Sequence, residues 1–447
     1  MTKDALRRLW PLMMLYAGRL GTALVGLLVL PLFNKLLGPE QFGVIAILLS
    51  LQTLLVILDL GLAISIGRDV ASLSAEQLPL VRAMLFHAEK VLAVLYAGIL
   101  LFTLVARLFF DMPLGFSGLL VTVLLFGAIT HQNVCQVALL ARQDYAWAGV
   151  GQLMAVLLRH LLTLACFHLF AATLDVFLYT QCAGAVLYAW LTRTRLLARI
   201  PPVDSTLPLP ASHARKLSMA LMVNGIAGAC AMQLDKPIVG ALAGAAQTTP
   251  YYLATVLSLT PLTFLAGPVV QFFQPKLMAS LARSEGLVDP ALVRRFLLCI
   301  IATAFVPGLV LWLAAEPLTA LWLHGAPNHV VVSEYTRILV VGATFGALGY
   351  VPHVLLVARQ QYTFMAVASL ALTTLTLLGT AWAAFHGDVR RICYIYATYH
   401  TAAVVVLWWR AQNHDAVLRR ALAPVAPIAV LACLSSIVLG LLVLRFT

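Results

Sequence analysis

The chain has 447 residues, is 62% hydrophobic and only 10% charged, and carries a formal net charge of +12; its mean hydropathy is +0.96. Water-soluble domains are about 45–50% apolar and about 25% charged, so this composition excludes a soluble fold and makes lipid the solvent. Seven cysteines (Cys135, Cys166, Cys182, Cys230, Cys299, Cys393, Cys433) lie in or beside apolar runs with no CxxC pair. They read as small packing residues, so neither a metal, a cofactor nor a disulfide framework is expected.

Taken in chain order, apolar runs long enough to cross a bilayer, about 18–25 residues each, fall at 12–33, 42–64, 85–108, 118–140, 147–170 and 174–192. A second set follows at 217–242, 251–273, 296–315, 334–357, 364–385 and 392–409, and a thirteenth at 424–445. The first run is too long for a signal peptide and lacks a cleavage site, so it is kept as a helix. With the N-terminus in the cytoplasm, 19 of the 29 Lys and Arg residues fall in inner segments and 5 in outer ones. This asymmetry is the positive-inside pattern, and it accounts for the basic charge without a nucleic-acid partner. The remaining cations, Arg19, Lys90, Arg159, Lys236 and Arg337, lie within spans.

The resulting expectation is an all-α polytopic membrane protein. An N-terminal six-helix half covers 1–200, a Pro- and Arg-rich cytoplasmic linker 201–216, and a C-terminal six-helix half 217–410. An amphipathic segment with an additional helix occupies 411–447. No GxxxxGK[ST] occurs, so the chain carries no P-loop of its own.

The two sets of runs repeat. Ala141-Arg142-Gln143-Asp144-Tyr145 and Ala358-Arg359-Gln360-Gln361-Tyr362 lie 217 positions apart. A slide of 208 places Ala71-Ser72-Leu73 on Ala279-Ser280-Leu281, and a slide of 206 places Pro31 and Gly38 on Pro237 and Gly244. Six spans separate the two Ala-Arg-Gln loops, so both face the same side. The halves are therefore expected to be parallel repeats, related by a pseudo-twofold axis along the membrane normal. Two such bundles suit alternating access through a central cavity.

An ionised side chain at mid-bilayer costs about 2.5–3.5 kcal/mol on insertion scales, so each one asks for a reason. Arg159, followed by His160, sits near the centre of the fifth run, and Arg19 lies two turns into the first. Glu89 and Lys90 fall about a turn into the third run and read either as cavity residues or as a near-interface pair. Asp235 and Lys236 lie in the seventh run, as function or as an internal pair fixing that helix. Asp59, near the inner end of the second run, is either functional or a helix anchor. His131, Gln132 and Asn133 form a polar belt in the fourth run, open to substrate or to interhelical hydrogen bonding. Arg337 reads as snorkelling to the interface, and His353 and His400 as satisfied packing residues. Five cations against three carboxylates (Asp59, Glu89, Asp235) imply a net positive cavity. The fitting substrate is anionic with sugar-like hydroxyls, and a phosphate or pyrophosphate head suits the forked donors of arginine.

Three stretches then carry a resemblance. Leu36-Leu37-Gly38-Pro39-Glu40-Gln41-Phe42-Gly43, Leu58-Asp59-Leu60-Gly61-Leu62, and Gln233-Leu234-Asp235-Lys236 followed by Tyr251-Tyr252-Leu253-Ala254 resemble the polysaccharide flippases. These are the O-antigen and capsule translocases of the multidrug/oligosaccharidyl-lipid/polysaccharide exporter superfamily. The resemblance implies a protein of the bacterial cytoplasmic (inner) membrane that flips an undecaprenyl-pyrophosphate-linked oligosaccharide to the periplasmic leaflet. Arg19-Leu20-Gly21 is similar to the Arg and Gly that related lipid II flippases carry in the first span. Implied partners are the lipid-linked oligosaccharide, membrane lipid, the polysaccharide polymerase machinery and a coupling ion, proton or sodium, which no residue here identifies. The candidate substrate-binding residues are Arg19, Asp59, Glu89, Lys90, His131, Gln132, Asn133, Arg159, Asp235 and Lys236. Two alternatives remain open: a multidrug cation antiporter, which calls for an acidic cavity, and a membrane polysaccharide polymerase or ligase, which calls for a larger outer loop than any here.

Overall fold

A computed structural model describes residues 3–57, 62–63, 66–67, 70, 80–109, 114–145, 147–200, 215–283, 289–414, 416–432 and 434. Among the described residues the regular elements are helices, and the chain divides into two compact units, Met1–Ala214 and Arg215–Thr447. The first unit contains α1 (Lys3–Ile57), α2 (Leu80–Ala106), α3 (Phe116–Ala141), a π-helical turn (Trp147–Gly151), α4 (Gln152–Leu169) and α5 (Leu174–Ala198). The second contains α6 (Arg215–Gln233), α7 (Asp235–Leu242), α8 (Ala245–Arg283), α9 (Pro290–Leu313), α10 (Ala315–Trp322) and α11 (His329–Ala347). It continues with α12 (Tyr350–Ala358), α13 (Tyr362–Phe385), α14 (Val389–His414) and α15 (Ala416–Leu422).

Ten helical segments among the described residues are long and apolar enough to cross a membrane. The first, Leu20–Val56, joins two of the runs expected from the sequence. Its helical geometry breaks at Gly38, where φ is 75°. That conformation is cheap for glycine and costly for other residues, and Pro39 then suits a helix start because it has no amide hydrogen to lose. The expected run 217–242 is interrupted at Leu234, between α6 and α7. The expected run 424–445 lies mostly outside the described residues; of the part described, 426–432 and 434 are helical.

The residues around Gly38 hold the bundle together. Gln41 Oε1 accepts a hydrogen bond from the Leu174 amide at the start of α5, at 2.8 Å, and Thr173 Oγ1 accepts one from the Val176 amide. Both satisfy amides that a helix start leaves unpaired. Phe42 is fully buried beside them.

Each unit pairs its helices in the same way. In the first, α3 packs on α5, α4 on α5, α2 on α3 and α1 on α4. In the second, α11 packs on α14, α13 on α14, α9 on α11 and α6 on α13. Gly244, between α7 and α8, has φ 95°, matching Gly38 at the offset of 206.

The Ala-Arg-Gln loops are a repeated helix cap. Gln143 and Gln360 both have positive φ, 61° and 54°. In the first loop the Gln143 amide donates to Leu140 O at 2.9 Å and the Asp144 amide to Leu139 O at 3.0 Å. In the second, Gln360 donates to Val357 O and Gln361 to Leu356 O, both at 3.0 Å. This pair of bonds is the Schellman motif, which ties off the last carbonyls of a helix. The residue after each glutamine then accepts from an arginine of the unit's last long helix. Asp144 Oδ2 takes Arg195 at 3.3 Å and Arg199 at 3.1 Å, while Gln361 Oε1 takes Arg410 at 2.7 Å. Arg195 lies over the Trp147 ring and Arg410 over Phe364, in each case three residues past the acceptor. The clamp recurs except for the charge of the acceptor and the second arginine on Asp144.

The break at Gly38 predicts opposite outcomes for two alanine substitutions in one helix. Gly38→Ala should destabilise by about 1–3 kcal/mol, the cost of holding a side-chain-bearing residue in a backbone region open essentially to glycine alone. Gly26→Ala, at an open helical position, should stabilise by about 0.5–1 kcal/mol. Thermal unfolding of the purified chain in detergent compares the two.

Candidate functional site

Each unit holds a polar cluster among apolar helices. In the first, Glu89 of α2 faces two other helices. Arg193 of α5 donates through Nε to Glu89 Oε1 at 2.6 Å and through a terminal nitrogen to Oε2 at 3.2 Å. His131 Nε2 of α3 lies 3.0 Å from the same Oε1, and Cys135 Sγ lies 3.7 Å from His131 Nε2. One carboxylate thereby ties three helices. The two-point contact of arginine on carboxylate is the strong form of such a bond. Two turns along α2 from Glu89, Tyr96 shares a hydrogen bond at 2.5 Å with Thr130 of α3.

The near-interface pair of Glu89 with Lys90 does not form. Neighbouring helix positions point about 100° apart and do not face each other; Glu89 turns inward to α3 and α5, while Lys90 is exposed. Likewise His131 meets Glu89, Gln132 is buried against other packing, and Asn133 is half-buried. The polar belt is thus split between faces of α3.

Arg159 sits on α4 against α5. Gly184 leaves room for it: a methyl group there would come within 2.6 Å of Arg159 Cγ. Its Nε is buried with no hydrogen-bond partner, and the side chain forms no ion pair among the described residues. Its backbone is tied instead, since Thr163 Oγ1 donates to Arg159 O at 2.9 Å and shares a 2.8 Å bond with Thr180 of α5. His160 beside it packs edge-on against Phe33.

In the second unit, Asp235 and Lys236 are 1% and 2% exposed and pair at 3.0 Å. Tyr251 of α8 donates to Asp235 Oδ2 at 2.6 Å, and Lys236 Nζ donates to Met232 O at 2.7 Å. The pair sits where α6 gives way to α7. It joins that break to α8 and uses a carbonyl that the interruption leaves free, as irregular backbone at membrane depth requires.

Tyr396 of α14 donates to Met232 Sδ. His400 packs on Tyr396 with ring centroids 4.8 Å apart, yet its Nε2 has no partner, so the expectation of a satisfied histidine fails there. Arg337 approaches Glu316 at 3.7 Å instead of standing alone. Asp59 lies outside the described residues, and Arg19 is described only as part of the backbone of α1. Arg193 and Tyr251 are the site residues that sequence reasoning did not select. Arg193 follows the sixth run by one position and looks like another inner-face cation, and Tyr251 was noticed only as part of a family stretch. No group of His, Cys, Asp or Glu among the described residues is arranged to hold a metal ion.

No protein-family model and no curated protein sequence matches the chain. Solved structures do. One, the inward-facing conformation of a multidrug resistance MATE family transporter of the MOP superfamily, aligns with a TM-score of 0.66 at 15% identity, covering 94% of this chain and 99% of that one. The lipid II flippase MurJ, in an inward closed conformation, aligns with a TM-score of 0.65 at 11% identity, over 95% and 97% of the two chains. A MOP superfamily transporter from Pyrococcus furiosus, described by a binding pocket of reverse polarity that suggests a different function, gives 0.61 at 17% identity, over 89% and 93%. The chain is therefore an all-α, multi-pass membrane protein with the MATE/MOP-type fold of two helical bundles.

The Asp235–Lys236 pair generates a stability prediction. Removing one partner of a buried ion pair leaves the other uncompensated and typically costs about 3–5 kcal/mol, while replacing both with apolar residues is often neutral. Asp235→Asn should lower the unfolding midpoint strongly, and the double variant Asp235→Leu/Lys236→Met should recover most of the loss in the same thermal melt.

Proposed function

We propose that the chain is a flippase that moves an undecaprenyl-pyrophosphate-linked oligosaccharide, the repeat unit of an O-antigen or capsule, from the cytoplasmic to the periplasmic leaflet by alternating access. The observation that carries this reading is the distribution of unmatched charge. Both described carboxylates among the candidates bring their own cations, Glu89 with Arg193 and His131, Asp235 with Lys236. Arg159 forms no ion pair among the described residues. Surplus positive charge inside an apolar bundle favours an anion, and a guanidinium whose Nε is unpartnered suits phosphate oxygens. The similarity to MurJ is consistent with this, since that protein is named for a lipid substrate.

A multidrug cation antiporter is the competing reading, favoured by the equally good alignment with a multidrug MATE transporter. Such a protein needs a carboxylate free to meet its cation, and of the candidates among the described residues neither Glu89 nor Asp235 is free. Efflux of a cationic dye that is lost in Asp235→Asn would turn the argument in its favour.

Cells lacking the protein should accumulate lipid-linked repeat units on the cytoplasmic face. Rescue by Arg159→Ala, and by Arg19→Ala, should fall about tenfold or more, the worth of one charge-assisted contact. Full rescue by both arginine variants would remove the basis of the proposal.

A further inference from the structure

We propose that the repeated helix cap of the second unit binds the phosphate of an anionic phospholipid headgroup, with Arg410 as its direct partner. The site requires a bilayer and no transported substrate, so it stands apart from the flippase reading. In the first unit Arg195 Nε meets Asp144 Oδ2 at 3.3 Å, and Arg199 meets the same oxygen at 3.1 Å. In the second unit the amide of Gln361 stands in place of that carboxylate. It accepts one bond, from a terminal nitrogen of Arg410 at 2.7 Å. Arg410 is the counterpart of Arg195 at an offset of 215, and His414 stands at the same offset from Arg199. Arg410 Nε has no hydrogen-bond partner. The arginine thus keeps its place over a ring, Phe364 at 4.9 Å, but not its counter-charge.

Among the described residues of the second unit no carboxylate neutralises Arg410. Asp235 pairs with Lys236, Glu316 approaches Arg337, Glu334 holds Arg390 and Asp388 holds Arg391. Asp289 caps the Ala291 amide at the start of α9, and Asp415 lies outside the described residues. Further cations gather instead. The short helix α15 packs back on α14, and Arg419 Nε donates to Gln412 O near the end of α14 at 3.1 Å. Leu418, Ala421 and Leu422 are the buried side of α15, whereas Arg419 and Arg420 are exposed.

The position of the cluster selects a lipid as the source of the phosphate. Arg410 lies in the last turn of the membrane-length helix Val389–His414. Beside it Trp409 is exposed, as tryptophans are at the level where headgroups begin. Val405, one turn earlier on the same face, is exposed as well, so apolar surface for an acyl chain adjoins the cations. Arginine suits such a place because its stem lies along hydrocarbon while its head reaches the interface. Its planar fork matches phosphate oxygens, and basic groups at the ends of spans attract anionic headgroups. A soluble phosphate would meet the same donors but make no use of the apolar flank.

The test titrates the purified full chain in detergent with phosphatidylglycerol or phosphatidylcholine and counts bound lipids by native mass spectrometry. The wild type should retain phosphatidylglycerol in preference to phosphatidylcholine. Gln361→Asp gives Arg410 the carboxylate that Asp144 gives Arg195 and keeps the clamp. It should weaken phosphatidylglycerol about tenfold, the worth of one charge-assisted contact, and leave the thermal midpoint no lower. Gln361→Glu serves if the first variant does not fold. Arg142→Gln, at the corresponding loop of the first unit, makes the same change in net charge and should leave the affinity unaltered.

A second arm adds inorganic phosphate in excess. Phosphatidylglycerol that stays bound identifies the lipid as the ligand. Displacement by phosphate, with phosphate binding weakened by Gln361→Asp in the same proportion, assigns the site to the free ion and overturns the lipid proposal. Equal affinity of the wild type and the folded Gln361 variant for phosphatidylglycerol overturns it too. So does an equal loss in Arg142→Gln, which would make the attraction a property of the whole charged surface.

Discussion

An ionised side chain in a bundle solvated by lipid has no water to return to, so it must be matched within its own unit or be kept for a ligand. This constraint organises both units. Glu89 draws a histidine and an arginine from two other helices, and Asp235 draws the adjacent lysine and a tyrosine from α8. Each carboxylate thus becomes a fastening point between helices, which apolar surfaces alone supply weakly in a lipid solvent. The same rule makes Arg159 conspicuous, because it packs on a glycine and threonines and forms no ion pair among the described residues.

The duplicated cap shows how an internal repeat keeps geometry while its chemistry drifts. Two Schellman turns end in a left-handed glutamine, each is followed by an acceptor, and each acceptor holds an arginine stacked over an aromatic ring. One acceptor is an aspartate bound to two arginines, the other an amide bound to one. Hydrogen-bond geometry is preserved because the helix end needs its carbonyls tied off. The charge is free to differ because a neutral amide accepts as well as a carboxylate does in direction, though less strongly. The polar clusters differ between the units: Glu89 ties three helices in the first, whereas in the second Asp235 pairs with Lys236 at the break between α6 and α7 and Glu334 of α11 pairs with Arg390 of α14 at 2.8 Å.

Much of this was legible in the chain. Hydropathy marks the runs, and the offsets of 206 and 217 predict matching breaks that recur as Gly38 with Gly244 and Gln143 with Gln360. The partners of the buried charges were not legible. Glu89 and Lys90 are neighbours in sequence and read there as cavity residues or as a near-interface pair, but helical geometry sends them to different faces. Arg193 was counted with the inner-face cations because it closes its apolar run, and only the packing of α5 against α3 carries it back to Glu89.

The sequence by itself determined the solvent, the approximate spans, the repeat and the excess of cations, since these depend on composition and on order along the chain. Tertiary structure decided which of those cations are already spent. Whether a charge is matched depends on helices more than a hundred positions apart in sequence, as Glu89 and Arg193 are, and on the rotation of each helix about its axis. Neither is written in local sequence, and together they leave Arg159 unmatched and place His131 on a carboxylate.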